Sequence, residues 1–181
     1  AARRTALAAQ FDLSDAAETV ALLPGAEYGP AKRWPARHFG ALAQRLVAAG
    51  ITPLVLGSAR ERDLGDEIAR LGGSAVVNLC GATELVDVVD LLSGCRAAVS
   101  NDSGLMHVAC AVGIAVVALY GSSSPDFTPP LSDRARIVRL GIACSPCFQR
   151  HCPLGHTHCL TRMDVNQVWQ ALAPDLAPVV K

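Results

Sequence analysis

Short apolar runs recur along this chain at 20–23, 51–57, 74–79, 96–100, 115–121 and 136–140, with longer, helix-patterned stretches between them. Runs so short and so uniformly apolar read as parallel strands covered on both faces, because a strand with one wet face alternates polar and apolar residues. Strands that alternate with helices are joined by right-handed crossovers. The expected fold is therefore α/β: an open, Rossmann-like, doubly wound parallel sheet with its ligand loops at the carboxyl ends of the strands. The stretch after the first run carries Phe39, Leu42, Leu46 and Val47 at helical spacing, with Pro35 at its start and Gly50 at its end. Thr83, and Ser58 or Ala59, open further helices that end near Gly94 and Gly72. A last helix, Val165 to Leu172, turns Val168, Trp169 and Leu172 to one face for packing back on the sheet. Pro53 brings no N–H to a ladder, so its run is expected to start or edge the sheet there. Residues 3–10 suit a short helix, residues 1–18 as a whole read as a linker, and residues 19–181 read as one domain.

The 181 residues, 51% hydrophobic and 18% charged, supply a core of one-domain size and exclude disorder. Sixteen Lys and Arg balance sixteen Asp and Glu, leaving no global field to hold a polyanion, so nucleic acid is not an expected partner. No apolar run reaches the roughly 18 residues of a membrane-spanning helix, and no charged segment leads into an apolar stretch and cleavage site. The chain opens on Ala1 rather than Met, which reads as a start within a longer protein or as a trimmed end.

Three strand-to-helix loops have the residues for chemistry. In the first, PGAEYGPAKRWP at 24–35, a helix entrance and a Lys-Arg pair suit an anion, since a helix N-terminus is already electropositive. Lys32 would act as a point charge on a phosphate, and Arg33 as a forked contact or a solvated side chain. A turn with solvated charges explains the same residues equally well. The second, SNDSGLMH at 100–107, places the amides of Ser103 and Gly104 at a helix start with His107 one turn on, a dock for a diphosphate. Asp102 would repel that diphosphate, so it accepts from hydroxyls or caps the helix. His107 also suits ordinary packing. In the third, GSARERD at 57–63, Glu61 favours the helix dipole whatever its role, and its functional reading is pairing with ribose hydroxyls.

Seven cysteines point to a reducing compartment as the simplest setting; Cys80, Cys95 and Cys110 stand in apolar surroundings that suit small core residues. The other four crowd into CSPCFQRHCPLGHTHC at 144–159, with two, four and six residues between successive thiols. Cys144, Cys147, Cys152 and Cys159 suit a tetrahedral Zn2+, with His151, His156 and His158 as substitutes. Reduced thiols and disulfides are the competing readings. The segment reads as structural or regulatory, not catalytic, and an oligomer contact is a further role.

The loop at 24–35, NDSGLMHVA at 101–109 and ALYGSSSPDFTPPL at 118–131 together resemble the lipopolysaccharide heptosyltransferase II group of glycosyltransferase family nine, enzymes of the GT-B fold. The likeness runs from about residue 3 to 173, with three long motifs in order. It implies the C-terminal, donor-binding half of such an enzyme, preceded by part of the interdomain connection. The implied donor is ADP-L-glycero-D-manno-heptose, with no obligatory organic cofactor. The implied acceptor is the first heptose of the lipopolysaccharide inner core, reached through an N-terminal domain on the cytoplasmic face of the inner membrane.

Carried over by the same resemblance, Lys32 contacts the donor phosphates and Ser103, Gly104 and His107 form the phosphate-binding turn. Asp102 is directed at the donor sugar, Glu61 holds the ribose, and Thr83 lies beside the adenine. Lys32 and Asp102 are the residues closest to catalysis. No residue here corresponds to the family's general base, so the chain alone is expected to bind ADP weakly and transfer nothing. A nucleotide- or sugar-binding module, with a metal- or redox-sensing Cys loop and no transfer chemistry, is the reading from a different class.

Overall fold

A computed structural model describes residues 2–13 and 18–176. Its strands are β1 (Thr19–Leu23), β2 (Thr52–Val55), β3 (Val77–Asn78), β4 (Ala97–Asn101), β5 (Ala115–Tyr120) and β6 (Ala135–Arg139). They form one six-stranded sheet in the order β3-β2-β1-β4-β5-β6, parallel throughout. Chain order reverses between β1 and β4, as expected of a doubly wound sheet. The helices are α1 (Ala2–Gln10), α2 (Ala36–Ala48), α3 (Arg62–Gly72), α4 (Leu85–Gly94), α5 (Gly104–Ala111), α6 (His158–Thr161) and α7 (Val165–Leu172). Among the described residues no helix is long and apolar enough to cross a membrane.

The central strands are buried on both faces, and the two-residue period of a strand divides their side chains between two cores. On one side Val20, Leu22, Val55, Val99, Val117 and Leu119 pack with side chains of α2, α3 and α7. On the other, Ala21, Leu23, Leu54, Ala98, Val116 and Tyr120 pack with α1, α4 and α5. At the α2–α3 crossing, a Cβ on Gly40 would stand 2.5 Å from the Leu71 Cβ, so only glycine permits this approach.

Several boundaries differ from expectation for local reasons. The run at 74–79 yields only Val77–Asn78, because the Asn78 amide bonds to Asp66 (2.7 Å) and accepts from the Cys80 N–H (3.0 Å), turning the chain away. Pro53 lies inside β2, which has neighbours on both sides, but the β3 ladder meets only Leu54 and Val55, so Pro53 is at an edge locally. Glu84, not Thr83, caps α4, in a reciprocal capping box with Asp87. The segment read as a linker is partly built into the fold: Leu7 and Leu13 are buried, and Arg3 pairs with Asp87 (2.5 Å) and Asp90 (3.4 Å) on α4. Residues 1 and 14–17 of that segment, and 177–181 of the expected domain, lie outside the described residues.

Candidate functional site

The site is built where β1 and β4 run side by side and their following loops part. Asn101, the last residue of β4 and fully buried, joins these loops: its Oδ1 accepts from the Trp34 N–H (3.0 Å) and its Nδ2 donates to the Pro24 carbonyl (2.7 Å). Trp34 is anchored in turn by donation from Nε1 to the Met163 carbonyl (3.0 Å). This clamp holds the chain of Pro24–Pro35 against the start of α5. Sequence reasoning passed over Asn101, although a lone amide at the end of an apolar strand signals a polar group that must find partners.

Across the same gap, Lys32 Nζ lies 2.5 Å from Asp102 Oδ2. The Asp102 side chain is 4% exposed and that of Lys32 16%, so the pair is largely withdrawn from water. Lys32 also lies over the Tyr28 ring, 5.2 Å from its centroid. The two residues expected to be closest to catalysis are thus brought together, 70 positions apart in sequence. Arg33 is not purely solvated: its Nη2 reaches the Ala26 carbonyl (3.4 Å).

The backbone around Lys32 departs from the expected anion cradle. Pro30–Lys32 is a single 3-10 turn, and the amides of Ala31, Lys32 and Arg33 are taken by the carbonyls of Arg150, Gly29 and Pro30. None of these three amides is left to face an anion, so the charged group this turn presents is the Lys32 side chain. The turn at 103–107 is more open. Ser103 stands at the N-cap of α5 without a side-chain capping bond, its hydroxyl 3.4 Å from that of Ser100. Gly104 is exposed, and a Cβ there would meet nothing within 4 Å, so a ligand can approach this helix start. His107 is half-buried on the same turn. Asp102 does not cap α5; it faces Lys32 instead.

Glu61 closes a capping box with Ser58, accepting from the Ser58 N–H (2.8 Å) and hydroxyl. Its carboxylate also faces the β1 loop, 3.1 Å from where a Gly25 Cβ would stand. Thr83 belongs to the segment after β3, tied to the β2 loop by the Gly81 N–H donating to the Gly57 carbonyl (3.0 Å). Among the described residues, the buried hydroxyls of Thr83, Ser122 and Ser123 find no hydrogen-bond partner, which is uncommon for buried polar groups. Ser122 and Ser123 follow β5 and were not singled out in the sequence, although they fall within one of its long motifs.

All seven cysteines are free thiols. Cys80, Cys95 and Cys110 are buried as expected; burial pushes the Cys80 thiol up to about 12, with Glu61 and Asp66 adding to the shift, and the Cys95 thiol up to about 11. The other four line a single cavity of about 20 Å3, shared with His156. The Thr157 N–H donates to Cys152 Sγ (3.4 Å) and, with neighbouring amides, holds that thiol below its usual range. Burial raises the Cys159 thiol, and the nearby Cys147, Cys144 and Cys152 raise it further. Among the described residues no three His, Cys, Asp or Glu side chains are already drawn together as a metal-ligand group.

The model of glycosyltransferase family 9 (heptosyltransferase) matches residues 2–158. Lipopolysaccharide heptosyltransferase 2 of Escherichia coli K12 is 50% identical over 135 residues, 72% of this chain and 39% of that protein. Lipooligosaccharide heptosyltransferase 2 of Haemophilus influenzae Rd is 48% identical over 125 residues, 67% of this chain and 36% of that protein. The solved structure of E. coli ADP-heptose LPS heptosyltransferase II superposes with a TM-score of 0.84 at 39% identity, over 97% of this chain and 51% of that one. This chain thus spans between about a third and about half of the length of these relatives. A six-stranded Rossmann-like sheet, a buried Lys–Asp pair at its switch point and a family match over most of its length lead to one assignment: the chain belongs to glycosyltransferase family 9, the heptosyltransferases.

Proposed function

We propose that this chain is the donor-binding half of a heptosyltransferase that carries the second heptose to the lipopolysaccharide inner core, with ADP-L-glycero-D-manno-heptose as donor. The observation that carries the reading is the position of Lys32 and Asp102 at the carboxyl ends of β1 and β4, where a doubly wound sheet binds its ligand. In this reading the donor diphosphate draws Lys32 Nζ away from Asp102 and receives the Ser103 and Gly104 amides at the start of α5, with His107 one turn further on. Glu61 takes the ribose hydroxyls, and the Thr83 segment borders the adenine.

As the bond between the anomeric carbon and the β-phosphate oxygen breaks, the electron pair leaves on the phosphate and the sugar gains oxocarbenium character. Fixed donors aimed at that oxygen stabilise the charge as it forms, by about 3 kcal/mol each in a water-poor cleft. Lys32 and the two amides fill this role; Asp102, freed from Lys32, faces the positively charged sugar. The acceptor and its general base belong to a partner domain, and the assembled enzyme works at the cytoplasmic face of the inner membrane. The thiol-rich loop is structural or regulatory and supplies no group to the reacting atoms.

Calorimetric titration of ADP, with UDP as the control and Lys32→Ala beside the parent, tests the reading. Saturable ADP binding, weaker in the variant and much weaker for UDP, is expected. A folded chain that prefers UDP, or whose ADP affinity ignores Lys32, overturns it.

A further inference from the structure

The stretch 140–157 between β6 and α6 forms neither helix nor strand, yet it grips the site from two sides. Towards β5, the Ser145 hydroxyl donates to the Gly121 carbonyl (2.6 Å) and the Phe148 N–H to the Ser122 carbonyl (2.7 Å). Towards β1, the Tyr28 hydroxyl donates to the Phe148 carbonyl (2.9 Å), Arg150 Nε to the Tyr28 carbonyl (2.7 Å), and the Ala31 N–H to the Arg150 carbonyl (3.1 Å). The contact is close: a Cβ on Gly29 would stand 2.5 Å from the Arg150 carbonyl oxygen. A long irregular loop with little core of its own needs another source of order. The cavity lined by its four thiols also touches Ala31 and Ser122, the same two loops that it clasps.

We propose that Cys144, Cys147, Cys152 and Cys159 bind one Zn2+ ion, and that this ion sets the geometry of the donor loop carrying Lys32. Four cysteines lining one cavity of about 20 Å3 have the donor set of a closed structural zinc site once their thiols are deprotonated. Binding draws the sulfurs inward and releases their protons, with no change in oxidation state. Phe148 and Arg150 lie between the second and third ligands, so the carbonyls that hold Tyr28 and Ala31 are placed by the ion. Tyr28 underlies the Lys32 ammonium, and Ala31 precedes Lys32 in the same 3-10 turn. The link to donor affinity rests on the donor-site reading above; the metal site and the clasp do not.

The first test counts metal by elemental mass spectrometry in the parent chain and in a Cys147→Ser/Cys152→Ser variant, both purified reduced from zinc-supplemented medium. One zinc per parent chain and none in the variant is expected. A parent without metal, iron in place of zinc, or a variant that keeps its zinc overturns the site. The second test follows hydrogen exchange of the Ala31 amide in zinc-loaded and chelator-stripped parent, with β4 and β5 amides reporting the fold. Exchange at Ala31 about tenfold faster without zinc, over an unchanged sheet, is expected; equal rates overturn the coupling.

Gly29→Ala opens the same clasp without touching a thiol. It is expected to keep its zinc and bind ADP about tenfold more weakly, and unchanged affinity overturns the link to the donor. If the zinc-loaded parent binds no ADP at all, the donor reading fails, while the metal count and the Ala31 exchange still decide the site and the clasp.

Discussion

Lys32 Nζ and Asp102 Oδ2 meet at 2.5 Å across the seam between β1 and β4, with the carboxylate almost wholly out of water. A charge buried in this way depends on its partner, and removing one member leaves the other uncompensated. Lys32→Ala is expected to lower stability by about 2 kcal/mol and to weaken ADP binding; the Lys32→Ala/Asp102→Ala pair regains stability but not affinity. Urea denaturation with calorimetry on both variants measures this, and a double variant no more stable than the single one contradicts it.

The same pairing makes Asp102 a competitor for the lysine. Asp102→Asn keeps the side-chain shape and removes the charge that would repel a diphosphate, so the variant should bind ADP at least as tightly as the parent. Weaker ADP binding by a folded Asp102→Asn chain would show that the carboxylate supports the nucleotide directly.

Asn101 should matter to the fold as much as any core side chain. Asn101→Ala leaves the Trp34 N–H and the Pro24 carbonyl without their partner in a buried place. The expected loss is about 3 kcal/mol, read as a lowered denaturation midpoint. A loss no larger than that of an exposed substitution would mean that water replaces the amide.

At the amino end, the apolar contact should outweigh the ionic one. Arg3 is 52% exposed, so Arg3→Ala should leave the thermal midpoint nearly unchanged despite the pairing with Asp87. Leu7→Ala removes a buried side chain between α1 and the sheet and should cost about 2 kcal/mol. Equal effects from the two substitutions would contradict this view of how α1 is held.

Alkaline pH should destabilise the chain through its buried thiols. Cys80 and Cys95 titrate at about 12 and about 11 in the fold, against 9.0 when exposed, so the folded state keeps protons that the unfolded state loses. Their contribution is fully present below pH 9 and is lost as pH rises towards those folded values. Denaturation followed from pH 9 upward should show falling stability, with a shallower fall in a Cys80→Ala/Cys95→Ala chain. An unchanged slope in that variant would place the alkaline lability elsewhere.

The layered sheet was legible because its cause is local. Val20 to Leu23 and Ala115 to Tyr120 are apolar at every position, which only a strand buried on both faces requires, and Phe39, Leu42 and Leu46 repeat at the helical period. The strand at 74–79 was overestimated because hydropathy does not register that the Asn78 side chain competes for backbone partners. Capping misled for a similar reason: Thr83 and Glu84 both suit a helix start, and the choice depends on Asp87 reaching back.

Residue types in the strand-to-helix loops marked Lys32, Asp102, Ser103 and Gly104, since backbone amides and charge at a helix entrance are readable in order along the chain. Which of them touch was not readable. The Lys32–Asp102 pair, the Asn101 bridge and the hold of Arg150 on Ala31 join residues at least 67 positions apart, through crossovers that bring separate loops to one edge of the sheet. Periodicity records what each segment needs from its immediate surroundings. Partnership across the switch point exists only once the strands have paired in order, because a hydrogen bond or ion pair depends on distance in space rather than on spacing in the chain.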